Sequence, residues 1–386
     1  MQDQNGGFYS AENAESEGVE GKYYLWEKQE LLQALGQEKG ELFCSYWGVT
    51  AKGNFEKGQN ILHLPRGVDA FLEEQGLDRR EWFFLLEESR KKLLEARGKR
   101  VRPSLDDKIL TSWNGLMIGA LAKGAGALKG EVYARAAVKA ADFILHKMEK
   151  EAGTLLHRYR DGEAAIEGFA EDYAYFASGL LDLYEAVPDP RYLEKALSLT
   201  EKMLQLFWDK EQGGLSQSGF DSGELPLQVR EAFDGALPSP NSVAAQNLLR
   251  LAALTSDENL QRRAQELVES FGSFLKESPA GFTALLAAVD FALGPVQEIV
   301  VAAAEAGDPL QGKMLNAVYE RFLPRKVLLS FGEKDFQRLQ RISPQLLDKK
   351  PLEGKTTAYL CRNFSCLQPT TDPGEWEKLL DRETAQ

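Results

Sequence analysis

The segments NGGFYSAENAESEG (5–18) and QGGLSQSGFDSGE (212–224) carry the reading that decides the fold. A degenerate copy, AGTLLHRYRDGEAAIEG, occupies 152–168. Each copy opens around glycine, sets an aromatic or aliphatic residue soon after, and runs on through polar and acidic residues. Gly153 and Gly213 stand 60 residues apart, which leaves room for two helices and their connections. Self-similarity at that period points to helical hairpins, none of which can bury its apolar face alone. Hairpins of this kind either stack in a line or close into a ring.

The stretches between the loops read as helices. Short ones are expected at 27–36 and 40–47, and a longer one from Arg79 to Ala96 groups Trp82, Leu85, Leu86, Leu93 and Leu94 toward one side. Hairpins follow at 107–128 with 131–149, at 171–186 with 191–208, and at 241–254 with 258–275. Tyr173, Phe176, Ala177, Leu180, Leu181 and Tyr184 recur at helical spacing and form an apolar stripe. Ser239 is placed to cap and Pro240 suits a first helical position. A further helix spans Phe282 to Leu293. Helix 113–128 carries Gly115, Gly119, Gly124 and Gly126. Each interior glycine costs about 1 kcal/mol relative to alanine. Several together imply close backbone approach, as in an inner ring of helices.

After Pro295 the pattern changes. Segments 297–303, 326–331 and 356–361 read as short apolar strands, with helices at 309–322 and 333–342 between them. That order predicts a small parallel sheet. The charged residues from Asp372 onward read as a surface helix. The fold class is therefore mainly α: a partial (α/α)6 toroid of helical hairpins over 1–295, a small α/β module over 296–371, and a charged tail over 372–386.

Composition narrows the function. Hydrophobic content of 43% and charged content of 27% in 386 residues are ordinary for a globular chain. A net charge of −13 argues against a nucleic-acid partner, because the one basic run, Arg90 to Arg102, is interleaved with Leu93, Leu94 and Val101. No stretch approaches the roughly 20 apolar residues that span a bilayer, and the polar start MQDQNGG has no signal-peptide core. Neither nucleic acid nor membrane is expected as a partner, and the location expected is cytoplasmic. Cys44, Cys361 and Cys366 are an odd number without framework spacing, which suits reduced thiols. A disulfide between Cys361 and Cys366 is the minor alternative.

Longer segments add a resemblance: GGFYSAENAESEG (6–18), DDKILTSWNGLMIGALA (106–122), EGFAEDYAYFASGLLDLYEA (167–186), DGALPSPNSVAAQNLLRL (234–251), LGPVQEIVV (293–301) and TAYLCRNFSCLQP (357–369). In this order they resemble the C-terminal part of the thioredoxin-domain-containing YyaL and spermatogenesis-associated protein 20 family, over nearly the whole chain. The resemblance implies an (α/α)6 barrel similar to six-hairpin glycosidases and N-acylglucosamine 2-epimerases, preceded by a thioredoxin-like domain. It also implies that this chain begins partway through the barrel, is inactive alone, and has a separately encoded thioredoxin-like N-terminal half as a partner. Consistent with that, no CxxC motif occurs. Asn13 and Glu15 replace two aspartates of the family's first loop, and Pro240 replaces a glycine of a later one.

Barrel loops at one end of the inner helices are the natural place for a saccharide ligand, whose chemistry needs a proton donor and a base or nucleophile. Asp106, Asp107, Glu171 and Asp172 are the catalytic candidates, two acidic steps expected to open helices and share a cavity. Their structural alternative is helix capping. Glu12, Trp113, Asn114, His157, Tyr159, Tyr173, Asp234 and Asn241 are the substrate-binding candidates. For Asp234 and Asn241 a turn or helix-start role competes, and His157 lacks the partner spacing of a ligand set. No metal site and no cofactor motif is legible. Two readings stand: a glycosidase- or epimerase-like domain, and a non-catalytic scaffold or binding module that cooperates with a thioredoxin-like domain.

Overall fold

The structure, a computed structural model, describes residues 1–219, 229–305, 307–362 and 365–384. It divides into two compact units, Ala11–Asp107 and Met1–Ser10 with Lys108–Gln386. This cut differs from the expected boundaries at 295 and 371, since the helical hairpins after Lys108 and the C-terminal sheet form one unit.

The smaller unit runs β1 (Ala11–Glu12), β2 (Glu15–Ser16), β3 (Val19–Glu20), α1 (Lys28–Leu35), α2 (Gln37–Tyr46), α3 (Val68–Gln75), α4 (Arg79–Gly98) and β4 (Leu105–Asp106). Asp78 starts α4 by accepting from the amides of Arg80 and Glu81. Tyr46, Phe71 and Trp82 nest together with ring centroids 4.8–4.9 Å apart.

The larger unit begins with β5 (Ile109–Leu110) and α5 (Thr111–Leu128), then α6 (Glu131–Lys147), β6 (Leu156–Arg160), β7 (Glu163–Glu167), α7 (Ala170–Ala186), α8 (Pro190–Phe207), α9 (Pro240–Thr255), α10 (Glu258–Ser270), α11 (Gly272–Glu277) and α12 (Thr283–Leu293). Helices α5, α7, α9 and α12 pack side by side in that order, while α6, α8 and α10 lie against α5, α7 and α9. The alternation of inner and outer helices is that of helical hairpins set around an arc. Lys129 turns the first hairpin in the left-handed region, and Ser239 caps α9 over Pro240.

The glycines of α5 do what their density implied. A Cβ on Gly115 would lie 2.5 Å from the carbonyl carbon of Tyr175, and one on Gly179 would lie 2.4 Å from the Gly115 oxygen. Helices α5 and α7 therefore touch backbone to backbone.

The repeated loops are also real. Each is closed by a β-bridge before an inner helix: Gln2 with Phe8, Glu149 with Leu155, Trp208 with Leu215. Residues 220–224 of the last copy lie outside the described residues. A polar side chain of the following inner helix holds each bridge. Asn114 accepts from Phe8 N at 2.8 Å and donates to Phe8 O at 3.0 Å. Asn241 treats Leu215 likewise, at 2.7 and 3.0 Å. Leu155 N donates to the Tyr173 hydroxyl at 2.9 Å. A side chain on Gly7 would enter Ile109, 2.8 Å away.

The C-terminal part adds β8 (Gln297–Ala302), α13 (Pro309–Tyr319), β9 (Lys326–Phe331), α14 (Glu333–Ile342), β10 (Thr357–Arg362), β11 (Ser365–Cys366) and α15 (Pro373–Thr384). The sheet order is β11-β10-β8-β9. Only β8 and β9 are parallel, and β10 runs antiparallel to β8. The expected all-parallel sheet is thus mixed, because the chain turns back at Leu352–Lys355 before β10. The tail is not a surface appendage. Trp376 and Leu380 of α15 are fully buried, and Trp376 Nε1 donates to Met314 O at 3.0 Å. Cys361 and Cys366 are bonded rather than free, since the β10–β11 register sets them directly opposite with Cα atoms 3.9 Å apart. Cys44 is free and buried. Among the described residues no helix is long and apolar enough to cross a membrane.

Gly115→Val or Gly179→Val should therefore lower unfolding free energy by about 2 kcal/mol or more, the usual cost of overpacking, as read by urea denaturation. Stability equal to the parent chain would show that the two backbones are not in contact.

Candidate active site

The first turns of α5 and α7 meet at one buried carboxylate. Asp172 is fully buried. Its Oδ1 accepts from Ser112 N, in the first turn of α5, at 2.9 Å. Its Oδ2 accepts from Phe169 N, at the start of its own helix, also at 2.9 Å. One side chain thus satisfies orphan amides at two helix starts, where negative charge is electrostatically favoured.

His157, on β6, places Nδ1 2.9 Å from Asp172 Oδ2. A carboxylate accepts and does not donate, so Nδ1 carries the ring proton and Nε2 is the nitrogen left to act elsewhere. Phe169 meets the imidazole edge-on with centroids 5.1 Å apart. The ring is 19% exposed. The hydrogen bond to Asp172, opposed by burial, holds the His157 pKa above the usual imidazole value.

Glu171 completes the group. It is half-buried, and Ser112 Oγ donates to its Oε1 at 3.4 Å. Burial, then the neighbouring Asp172 charge, raises its pKa above the usual carboxyl value. Glu231 adds a smaller push in the same direction. Ligand atoms of His157, Glu171 and Asp172 lie within 4.8 Å of one another, the one such group among the described residues. Its nitrogen and carboxylate donors suit a divalent cation by type. Both Asp172 oxygens already serve backbone amides, however, so the arrangement is better built to hold protons than an ion.

The other expected residues are distributed as follows. Asp106 and Asp107 fall in the smaller unit, with Asp106 in β4 opposite Ala11. They do not cap α5, whose N-cap is Leu110. Glu171, Asp172 and His157 form a group within the larger unit, while Asp106 and Asp107 belong to the smaller one. Glu12 is also in the smaller unit and accepts from the Tyr24 hydroxyl at 2.7 Å. Asn114, Tyr173 and Asn241, expected to touch substrate, are buried and committed to the backbone of the repeated loops. Asp234 accepts from Ser239 N at 2.8 Å and from Ala284 N at 2.7 Å, tying the starts of α9 and α12. Tyr159 packs edge-on against Phe143, centroids 5.1 Å apart. Trp113, 42% exposed, follows Ser112 in the first turn of α5 and remains available to a ligand.

Sequence reasoning missed Ser112 and Glu231. Ser112 has no signal of its own beyond standing beside Trp113. Glu231 sits in a loop, where a lone acid is unremarkable, and its backbone oxygen is fixed by Asn241 at 2.8 Å.

This is a set of helical hairpins with an acid–imidazole cluster where two inner helices begin. Over the stretch it spans, the chain is similar to spermatogenesis-associated protein 20. It is 32% identical to the Homo sapiens protein of that name and 33% identical to the Rattus norvegicus one, with 97% of this chain and 52% of each relative aligned. The chain therefore spans about half the length of the curated relatives it matches. No family model matches it. Among solved structures it is similar to a GH76 alpha-mannanase of Bacteroides thetaiotaomicron, with TM-score 0.38, 17% identity, and 45% of this chain and 47% of that one covered. It is also similar to a cellobiose 2-epimerase of Bacillus thermoamylovorans, with TM-score 0.37, 14% identity, and 42% and 44% covered.

Because the His157 pKa is raised on folding, its pairing stabilises the fold below the unfolded imidazole pKa of about 6.5. That contribution is lost as pH rises through the higher folded value. The stability advantage of the parent chain over Asp172→Asn should accordingly shrink between mildly acidic and alkaline pH, measured by urea midpoints. A difference independent of pH would remove His157 from the pair.

Proposed function

We propose that the larger unit is a saccharide-active acid–base domain, with Glu171 as proton donor and His157 Nε2 as the second proton-transfer group. The observation that carries this reading is the half-buried Glu171, its pKa raised, beside an imidazole whose other nitrogen is held by Asp172. A carboxyl that keeps its proton nearer neutrality is the form a general acid needs. Asp172 is then a positioning residue, and its expected catalytic role passes to the groups it orients. Trp113 supplies an exposed aromatic face on the same helix turn, the surface that stacks on the apolar side of a sugar ring. Glu231, whose charge also pushes the Glu171 pKa up, suits a base or nucleophile role in hydrolysis.

A second reading has its own support. Asp172, Asp234, Asn114 and Asn241 all serve backbone groups, as in a scaffold whose polar residues hold loops. With about half of each relative's length outside the alignment, this domain then works beside a thioredoxin-like partner and is inactive alone.

A turnover screen over mono- and disaccharides, run on this chain and on a full-length relative, separates the two. Under the first reading Glu171→Gln lowers kcat about 10²- to 10⁴-fold, the usual worth of a general acid, while Trp113→Ala chiefly raises KM. Absence of turnover and of saccharide binding in the full-length protein would leave the scaffold reading.

A further inference from the structure

The opposite ends of the same inner helices enclose a second feature, away from Glu171 and His157. A cavity of about 410 Å³ is lined by the last turns of α5 and α7, by α9 and α12, and by the chain from Val318 to Lys326. That volume lies in the range of small-molecule sites, roughly 300–1,000 Å³.

Five charged side chains run through its wall in an alternating chain. Lys123 Nζ lies 2.8 Å from Asp182 Oδ2. Arg250 forks, giving Nη1 to Asp182 Oδ1 at 2.8 Å and Nη2 to Glu185 Oε1 at 2.9 Å. Lys326 closes the chain on the other oxygen of Glu185. Asp182 is 6% exposed, and Arg250, Glu185 and Lys326 are 16–18% exposed. Burial pushes the Asp182 pKa up, but Arg250 and Lys123 outweigh it and hold the carboxyl below its ordinary value. Three cations face two carboxylates, an excess of one positive charge (3 − 2). Arg321 also lines the cavity, paired with Asp381 of α15. The lining is therefore cationic in a chain whose net charge is −13.

Beside Gln246 and Tyr319, the rest of the wall is largely apolar. Ala127, Ala287, Phe291, Leu323 and Pro324 contribute to it, and Phe322 stands 84% exposed at the margin. The sequence offered no sign of this grouping, because its charged members come from four separate elements.

We propose that this cavity is a binding site for a small amphipathic monocarboxylate, its charged end set against Lys123 and Lys326 and its apolar body against Ala287, Phe291 and Leu323. Each lysine ammonium carries three donors and uses one on its own carboxylate, so both can donate to a further oxygen. The carbonyl ends of α5 and α7 offset part of the excess charge. Affinity is accordingly modest, with Kd on the order of 0.1–1 mM, and it weakens with salt as exposed Lys123 is screened. The site is independent of the saccharide reading.

Isothermal titration of this chain with hexanoate, hexan-1-ol and hexylamine tests the proposal. Hexanoate should bind with one site per chain, at least about tenfold tighter than the alcohol and amine, a difference one favourable charge contact supplies. Lys123→Gln, an exposed position, should weaken hexanoate severalfold. Ala287→Trp, also at an exposed position, should abolish binding by filling the cavity, while thermal melting shows both variants folded. No saturable hexanoate binding in the parent chain, equal binding of the three probes, or binding unchanged in both variants would each overturn the assignment.

Discussion

The contact on which the rest of the larger unit depends is the crossing of α5 over α7 at Gly115 and Gly179. With no side chain between them, the two backbones approach so closely that an added Cβ would lie 2.4–2.5 Å from main-chain atoms. Close-packed interiors tolerate little change in volume, so this seam fixes the relative position of the two helices along their length. Both charged clusters follow from it. At the start of the helices Ser112 reaches Asp172 and Glu171, and nearer their ends Gly119 leaves room for Asp182, whose Oδ2 would sit 2.9 Å from a Cβ there.

Asp172 shows how one side chain joins two helix starts and an imidazole. Its two oxygens take amides from two helix starts and the imidazole of His157. Capping accounts for its burial, and the imidazole contact then gives His157 a defined tautomer. Asp234 repeats the structural half of this device between α9 and α12. Among the described residues it has no imidazole partner, so an acid–imidazole group forms at only one of the two positions.

Much of the architecture was legible from local signals. The stripe of α7, the Ser239–Pro240 start of α9, and the glycines of α5 each have a short-range physical cause that survives in the folded chain. The repeated loops were legible because each needs glycine beside a bridge, as at Gly7, where Ile109 and Phe143 leave no space. The site was less readable. Glu171 and Asp172 stood out as acids at a helix start, yet their roles differ by environment, with one half-buried and one saturated by amides. His157 lacked a partner within reach in sequence, and Asp172 stands 15 residues away, across a strand pair.

Sequence alone determined the hairpin repeat, the start of α9 and the close packing of α5, because periodicity, capping and glycine content act within a few residues. Only the tertiary structure decided that Asn114, Tyr173 and Asn241 hold the loop bridges, that β10 runs antiparallel, and that Cys361 faces Cys366. It alone gathered Lys123, Asp182, Arg250, Glu185 and Lys326 around one cavity. Burial and pairing between distant elements set those outcomes, and neither is written in the spacing of any single segment.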